Sequence, residues 1–224
     1  MNTYLSSLRE QEVRIPCRNA TLLGNLSIPN GAKGLVIFAH GTGSSRFSPR
    51  NRMVADEMHH HKLATLLFDL LTIEDSATER TDDLRFDIPF LTKRLIDVTR
   101  WAQQEDSLDE LNIGYFGAST GAAATLTAAA RIPEIRAIVS RGGRTDLAGD
   151  AVDWVDAPTL LLAGELDLPV INWNRETYHR LSCEKNITLI PGASHLFTET
   201  GALEQVAQLA ASWFECYLPL KRHN

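Results

Sequence analysis

Cysteine is scarce in this chain of 224 residues: Cys17, Cys183 and Cys216 lie far apart, are odd in number and form no C-x-x-C pair. That spacing excludes the common thiolate zinc sites and dithiol redox motifs, and leaves buried thiols that suit a reducing compartment. Basic runs are missing too. With 28 acids against 22 bases and a formal charge of −6, no stripe of lysine or arginine can neutralise a phosphate backbone, so nucleic acid is not expected as a partner. No apolar segment approaches the span of a bilayer, and the opening "MNTYLSSLREQEVR" lacks the basic start and apolar stretch of a secretory signal. These features predict a soluble, cytoplasmic protein with no membrane partner. A G-x-x-x-x-G-K-[ST] phosphate loop is absent, and no repeat or low-complexity linker divides the chain.

What the chain has is apolar substance. Hydrophobic residues make up 44% of it, enough to bury the core of a single α/β domain over residues 1–224. "EVRIPC" and "LLGNLSI" alternate apolar and polar side chains and read as an antiparallel hairpin. After Asn30-Gly31 the pattern changes. "GLVIFAH" (34–40), "LATLLFDL" (63–70), "LNIGYFG" (111–117), "EIRAIVS" (134–140), "PTLLLAGE" (158–165) and "NITLIPG" (186–192) are unbroken apolar runs, as strands covered on both faces require. Helical spacing falls between them. Ser48 and Pro49 open one helix, "DIPFLTKRLIDVTRWAQQ" carries a second, and "ALEQVAQLAASWFECY" repeats apolar residues at three- and four-residue steps. The expectation is an α/β fold: a mostly parallel sheet of about eight strands, an N-terminal antiparallel hairpin, helices on both faces and no large cap domain. The polar stretch "TIEDSATERTDDLRF" (72–86) is read as a loop bordering an open pocket.

In such sheets, ligands sit beyond the carboxyl ends of the strands. Ser119 stands there, in "YFGASTGAAA", between an apolar run and an alanine-rich helix. A sharp strand-to-helix turn would strain Ser119 and exclude side chains at Gly117 and Gly121, lifting the hydroxyl above the sheet. A serine needs a base, and the base needs an orienting carboxylate. His195 follows the last strand; Asp167, in the turn before Pro169, is preferred over Glu165, which still continues its strand. The order Ser119, Asp167, His195 is that of this hydrolase architecture. The amides of Thr120, after the nucleophile, and Thr42, in the loop "HGTGSSRFSPRN" (40–51), are the candidate oxyanion donors. Arg46, Arg141 and Arg144 are candidates for holding an anionic substrate group, with surface ion pairs as the alternative. Histidines 59 to 61 read as the polar end of a helix, and no metal site is assigned.

On these residues the chain resembles the α/β-hydrolase superfamily, and within it the small dienelactone hydrolase-like group. "IFAHGTGSSRFSPRNRMVA", "LATLLFDLLTIED", "IGYFGASTGAAAT", "VSRGGRTDLAG", "PTLLLAGELDLPV" and "PGASHLF" fall in that group's order over nearly the whole chain. The resemblance implies hydrolysis of a small-molecule ester or lactone through an acyl-enzyme, with no cofactor. The namesake enzymes use a cysteine nucleophile, and this sequence has Ser119. The same triad serves an acyltransferase or thioesterase when an alcohol or thiol resolves the intermediate, and the fold also serves as a non-catalytic binding module.

Overall fold

The computed structural model describes residues 8–77 and 81–219. The eight strands are β1 (Leu8–Cys17), β2 (Ala20–Pro29), β3 (Gly34–Ala39), β4 (Leu63–Phe68), β5 (Asn112–Ala118), β6 (Ile135–Arg141), β7 (Thr159–Gly164) and β8 (Lys185–Ile190). They form one sheet in the order β1-β2-β4-β3-β5-β6-β7-β8. β1 pairs antiparallel with β2, and β2 antiparallel with β4; every pairing from β4 to β8 is parallel. This is the mostly parallel eight-stranded sheet that the alternating hairpin and the unbroken apolar runs predict, and the α/β-hydrolase architecture that the resemblance implies.

The runs are unbroken because both faces are covered. Successive residues of β3 go to opposite sides: Leu35 and Ile37 join one core, Val36 and Phe38 the other. The first core takes in α4 (Ile88–Gln104) and α5 (Thr120–Ala129), and the second takes in α1 (Pro49–His60) and α7 (Ala202–Tyr217). α6 (Leu168–Arg180) follows β7, and a short 3-10 segment, Thr145–Trp154, follows β6 and bends at Gly149. As its sequence predicts, α1 starts at a Ser48 cap whose hydroxyl accepts the Asn51 N–H, with Pro49 in the first turn.

The stretch 72–86 differs from its expectation. Within its described residues it forms two short helices, α2 (Ile73–Ser76) and α3 (Thr81–Phe86). α2 is set by a capping box: the Thr72 hydroxyl accepts from Asp75 N, and the Asp75 carboxylate accepts from Thr72 N. Arg94 of α4 then ties it down, donating to Asp75 Oδ2 at 2.5 Å and to the Leu70 carbonyl at 2.7 Å. No apolar stripe marks these turns, so their polar composition reads as loop.

Histidines 59 to 61 do end α1, and each has a local partner: Thr65 Oγ1 for His59, Glu57 for His60, and Glu57 with Glu215 for His61. Among the described residues no three potential ligands converge on a metal. Burial lowers the His59 pKa to about 4, and lowers that of His40 as well. Both folded values lie below the unfolded value of 6.5, so the unfolded chain takes up protons first as the pH falls. The stability of neutral His59 and His40 is complete above pH 6.5 and is lost on acidification, at up to about 1.4 kcal/mol per pH unit for each. Urea unfolding midpoints should therefore drop steadily from pH 6.5 to 5, and His59→Gln should flatten that slope.

Candidate active site

The junction of β5 and α5 holds Ser119 at φ 51, ψ −120. A non-glycine residue there carries about 1–2 kcal/mol of backbone strain. The turn is tight because its neighbours lack side chains: a Cβ on Gly117 would sit 2.5 Å from Ala122 Cα, and one on Gly121 2.1 Å from the Ala39 carbonyl oxygen. Two backbone bonds pin the strained residue. Ser119 N–H donates to the Arg141 carbonyl at 3.1 Å, and the Ser119 carbonyl accepts from Arg144 N–H at 3.0 Å.

His195 and Asp167 meet above the ends of β8 and β7. The imidazole Nδ1 lies 2.6 Å from Asp167 Oδ2. A carboxylate only accepts, so the proton sits on Nδ1 and leaves Nε2 as the basic nitrogen. Asp167 is mostly buried, whereas the His195 side chain is 40% exposed. Glu165 does not compete: its carboxylate accepts the Gly192 N–H at 2.8 Å and so braces the loop that leads to His195. The imidazole packs beside Gly142, where an added Cβ would lie 3.6 Å from His195 Cε1. Gly142 follows the Arg141 whose carbonyl pins Ser119, so the serine, the imidazole and the carboxylate all stand at the carboxyl ends of the parallel strands.

The loop after β3 approaches the same turn. An added Cβ on Gly41 would lie 2.9 Å from Ser119 Cβ. Beneath the loop, His40 is buried and neutral. Its Nε2 accepts the Leu70 N–H at 3.0 Å, which leaves Nδ1–H to donate to the Gly41 carbonyl at 2.9 Å. The Thr42 amide, expected to face an oxyanion, donates instead to the Thr120 hydroxyl at 3.0 Å. The two hydroxyls are also 3.0 Å apart, and that of Thr42 donates to the Arg85 carbonyl of α3 at 3.3 Å. The Thr120 amide is in the first turn of α5 and has no partner within the helix. A cavity of about 310 Å³ opens here, lined by Gly41–Ser45, Leu70–Ile73, Arg85 and Thr120 among others.

The three arginines singled out from the sequence separate. Arg46 is buried, and its guanidinium donates to Asp69, Asn25 and Glu12 at 2.6, 3.1 and 2.9 Å. Those partners fix the loop against the sheet, and Arg46 borders a different cavity from Thr42 and Thr120. It is not offered to a substrate as expected. Arg144 is likewise committed, forked onto Asp146 at 2.8 and 2.9 Å and stacked 4.3 Å from the Trp173 ring centroid. Arg141 has no such partner. Sequence reasoning also missed Asn174, fully buried on α6, which donates to the Gly143 carbonyl at 2.9 Å. It thereby ties the acid-bearing helix to the loop that pins Ser119. Its signal was a polar residue in register with the apolar Val170 and Ile171.

A family described as PET hydrolase-like matches residues 51–221. A dienelactone hydrolase from Anabaena variabilis shares 52% identity, with 95% of this chain and 99% of that one superposed at a TM-score of 0.92. The chain belongs to the dienelactone hydrolase-like α/β-hydrolase family. Est1E from Butyrivibrio proteoclasticus, also solved with ferulic acid bound, is 17% identical with a TM-score of 0.76 over 91% of this chain and 97% of its own, a likeness of fold. A Mycobacterium tuberculosis H37Rv protein named "putative phosphoribosyl transferase" is 49% identical over 209 residues, which are 92% of this chain and 46% of that protein. This dienelactone hydrolase-like chain thus spans about half the length of the curated relatives it matches. Among its described residues, no helix is long and apolar enough to cross a membrane.

Proposed function

We propose that the chain is a serine hydrolase that opens a carboxylic ester or lactone through an acyl-enzyme. The observation that carries this reading is the 2.6 Å bond between His195 Nδ1 and Asp167 Oδ2, at the carboxyl end of the sheet, where Ser119 is also held in its strained turn. Asp167 fixes the tautomer, so Nε2 faces outward as base. Ser119 Oγ attacks the carbonyl carbon as its proton passes to Nε2. The carbonyl oxygen, now negative, takes the amides of Thr120 and Thr42, and the Thr120 hydroxyl yields the Thr42 amide to it. Collapse expels the alkoxide, which receives the proton from His195. Water then repeats the sequence on the acyl group and frees Ser119.

Leu166, Leu168 and Leu196 flank the pair and are 65%, 67% and 47% exposed. An apolar rim beside a small cavity suits an ester with a short acyl group and an apolar alcohol portion. A fluorophosphonate probe should label the folded protein at Ser119, and a panel of p-nitrophenyl esters, lactones and thioesters should show ester or lactone turnover. A folded protein that neither labels nor turns over any of them would refute the reading.

A further inference from the structure

Arg141 ends β6, and strand alternation puts its side chain with Ala137 and Val139 on the face covered by α1 and α7. Only 8% of the residue is exposed. Its guanidinium carbon lies 5.7 Å from the Phe116 ring centroid, and Nη1 is sealed from solvent with no acceptor. Arg46, Arg94, Arg144 and Arg180 each bond a carboxylate, whereas the Arg141 guanidinium makes no hydrogen bond or ion pair with any described residue.

The charge that acts on Arg141 is a second cation. Arg50, in the first turn of α1, also has a buried Nε without an acceptor, and burial together with this like charge pushes the Arg141 pKa down to about 10. The two residues share a setting, since Val54 and Ala55 of α1 pack in the same core as Phe116 and Val139. The amino end of α1 adds a positive dipole. Buried charges in proteins are paired, and an aromatic face does not replace a counter-ion. Two guanidinium groups therefore present buried donors, Arg141 Nη1 and Arg50 Nε, with no acceptor among the described residues, beside a helix end whose dipole has the same sign.

We propose that Arg141 and Arg50, at the amino end of α1, bind a compact oxyanion, a carboxylate or phosphate group, beside the strand end that carries the nucleophile. The site goes beyond the hydrolase reading and stands without it. Planar guanidinium forks match a carboxylate or phosphate edge, and the sealed setting favours a small group over an extended one. The anion is either free in solution or an acid group carried by the substrate.

Thermal unfolding of the full chain, with inorganic phosphate or acetate titrated against chloride at constant ionic strength, tests the site directly. Saturable stabilisation of about 5 °C at roughly a hundredfold excess over Kd is expected, and it should be lost in both Arg141→Gln and Arg50→Gln. If Arg141→Gln does not fold, Arg50→Gln alone gives the comparison. A second arm compares kcat/KM for p-nitrophenyl hemisuccinate and p-nitrophenyl butyrate. A preference for the acid ester of about tenfold that disappears in either variant would identify the substrate as the source, and stabilisation without such a preference would identify a free anion; both uphold the site. Phosphate and acetate acting no more strongly than chloride, or stabilisation that survives in both variants, would overturn it. Saturable, arginine-dependent stabilisation of a protein with no hydrolase activity would uphold the site while refuting the hydrolase reading.

Discussion

Replacing Ser119 with alanine is expected to lower kcat on an activated ester by roughly 10⁴-fold or more, with the thermal midpoint close to that of the wild type. The hydroxyl is the only group that the change removes, and the two backbone bonds that pin the turn do not depend on it. Glycine at the same position should be as inactive but more stable, because the strain of φ 51 falls on the Cβ. A gain of about 1 kcal/mol for Ser119→Gly over Ser119→Ala would report that strain independently of any substrate. Single-turnover kinetics with p-nitrophenyl acetate would measure the first effect and urea unfolding the second. Residual activity in Ser119→Ala above about a hundredth of the wild type, well beyond what water attack in a preorganised site supplies, would place the nucleophile elsewhere.

The strands were legible because each had to be apolar on two faces. No short polar segment could imitate "GLVIFAH" or "PTLLLAGE", and the alternation of β1 and β2 marked them as the hairpin outside that sandwich. The turn at Ser119 was legible for a related reason: Gly117 and Gly121 are demanded by backbone that comes within contact distance. Position alone does not choose the carboxylate: β7 ends at Gly164, so Glu165 and Asp167 both lie past the strand, and their partners separate them, Asp167 meeting His195 and Glu165 the Gly192 amide. What stayed hidden depends on partners distant in sequence. The bond from Thr42 to Thr120 joins residues 78 apart, and the partners of Arg46 lie 21 to 34 residues away. A basic residue in a glycine-rich loop looks the same whether it awaits a substrate or braces the sheet. α2 was missed because a capping box and one arginine hold it, and neither it nor α3 has an apolar stripe to reveal its period.

The second large effect should come from His195 and its carboxylate. His195→Ala should fall nearly as far as Ser119→Ala, since nucleophile and base act as a unit, whereas Asp167→Asn should lose about 10³ to 10⁴ in kcat. An asparagine carboxamide can donate to Nδ1, and that would turn the imidazole to the tautomer whose Nε2 carries a proton and cannot act as base. Glu165→Gln is the control. Its carboxylate braces the Gly192 amide, and a carboxamide oxygen can still accept that bond, so less than about a tenfold loss is expected. The pH–rate profile of kcat/KM distinguishes the two, because losing the aligning carboxylate should also move the acidic limb and losing the brace should leave it in place. Equal losses in Asp167→Asn and Glu165→Gln would reassign the orienting acid.

Two connections wall the cavity beside Thr120: the loop after β3, which contributes His40 to Ser45, and the stretch between β4 and α4, which contributes Asp69 to Ile73 and Arg85. The proposed reactive groups hang from other connections, after β5, β7 and β8. Of the two walling connections, the stretch between β4 and α4 carries none of the proposed reacting groups or oxyanion donors, so there selectivity lies on a piece of chain separate from the chemistry. Libraries confined to the lining positions of that one connection should retune which molecules are accepted at little risk to turnover itself, and the fold can diversify in its clientele without rebuilding its engine.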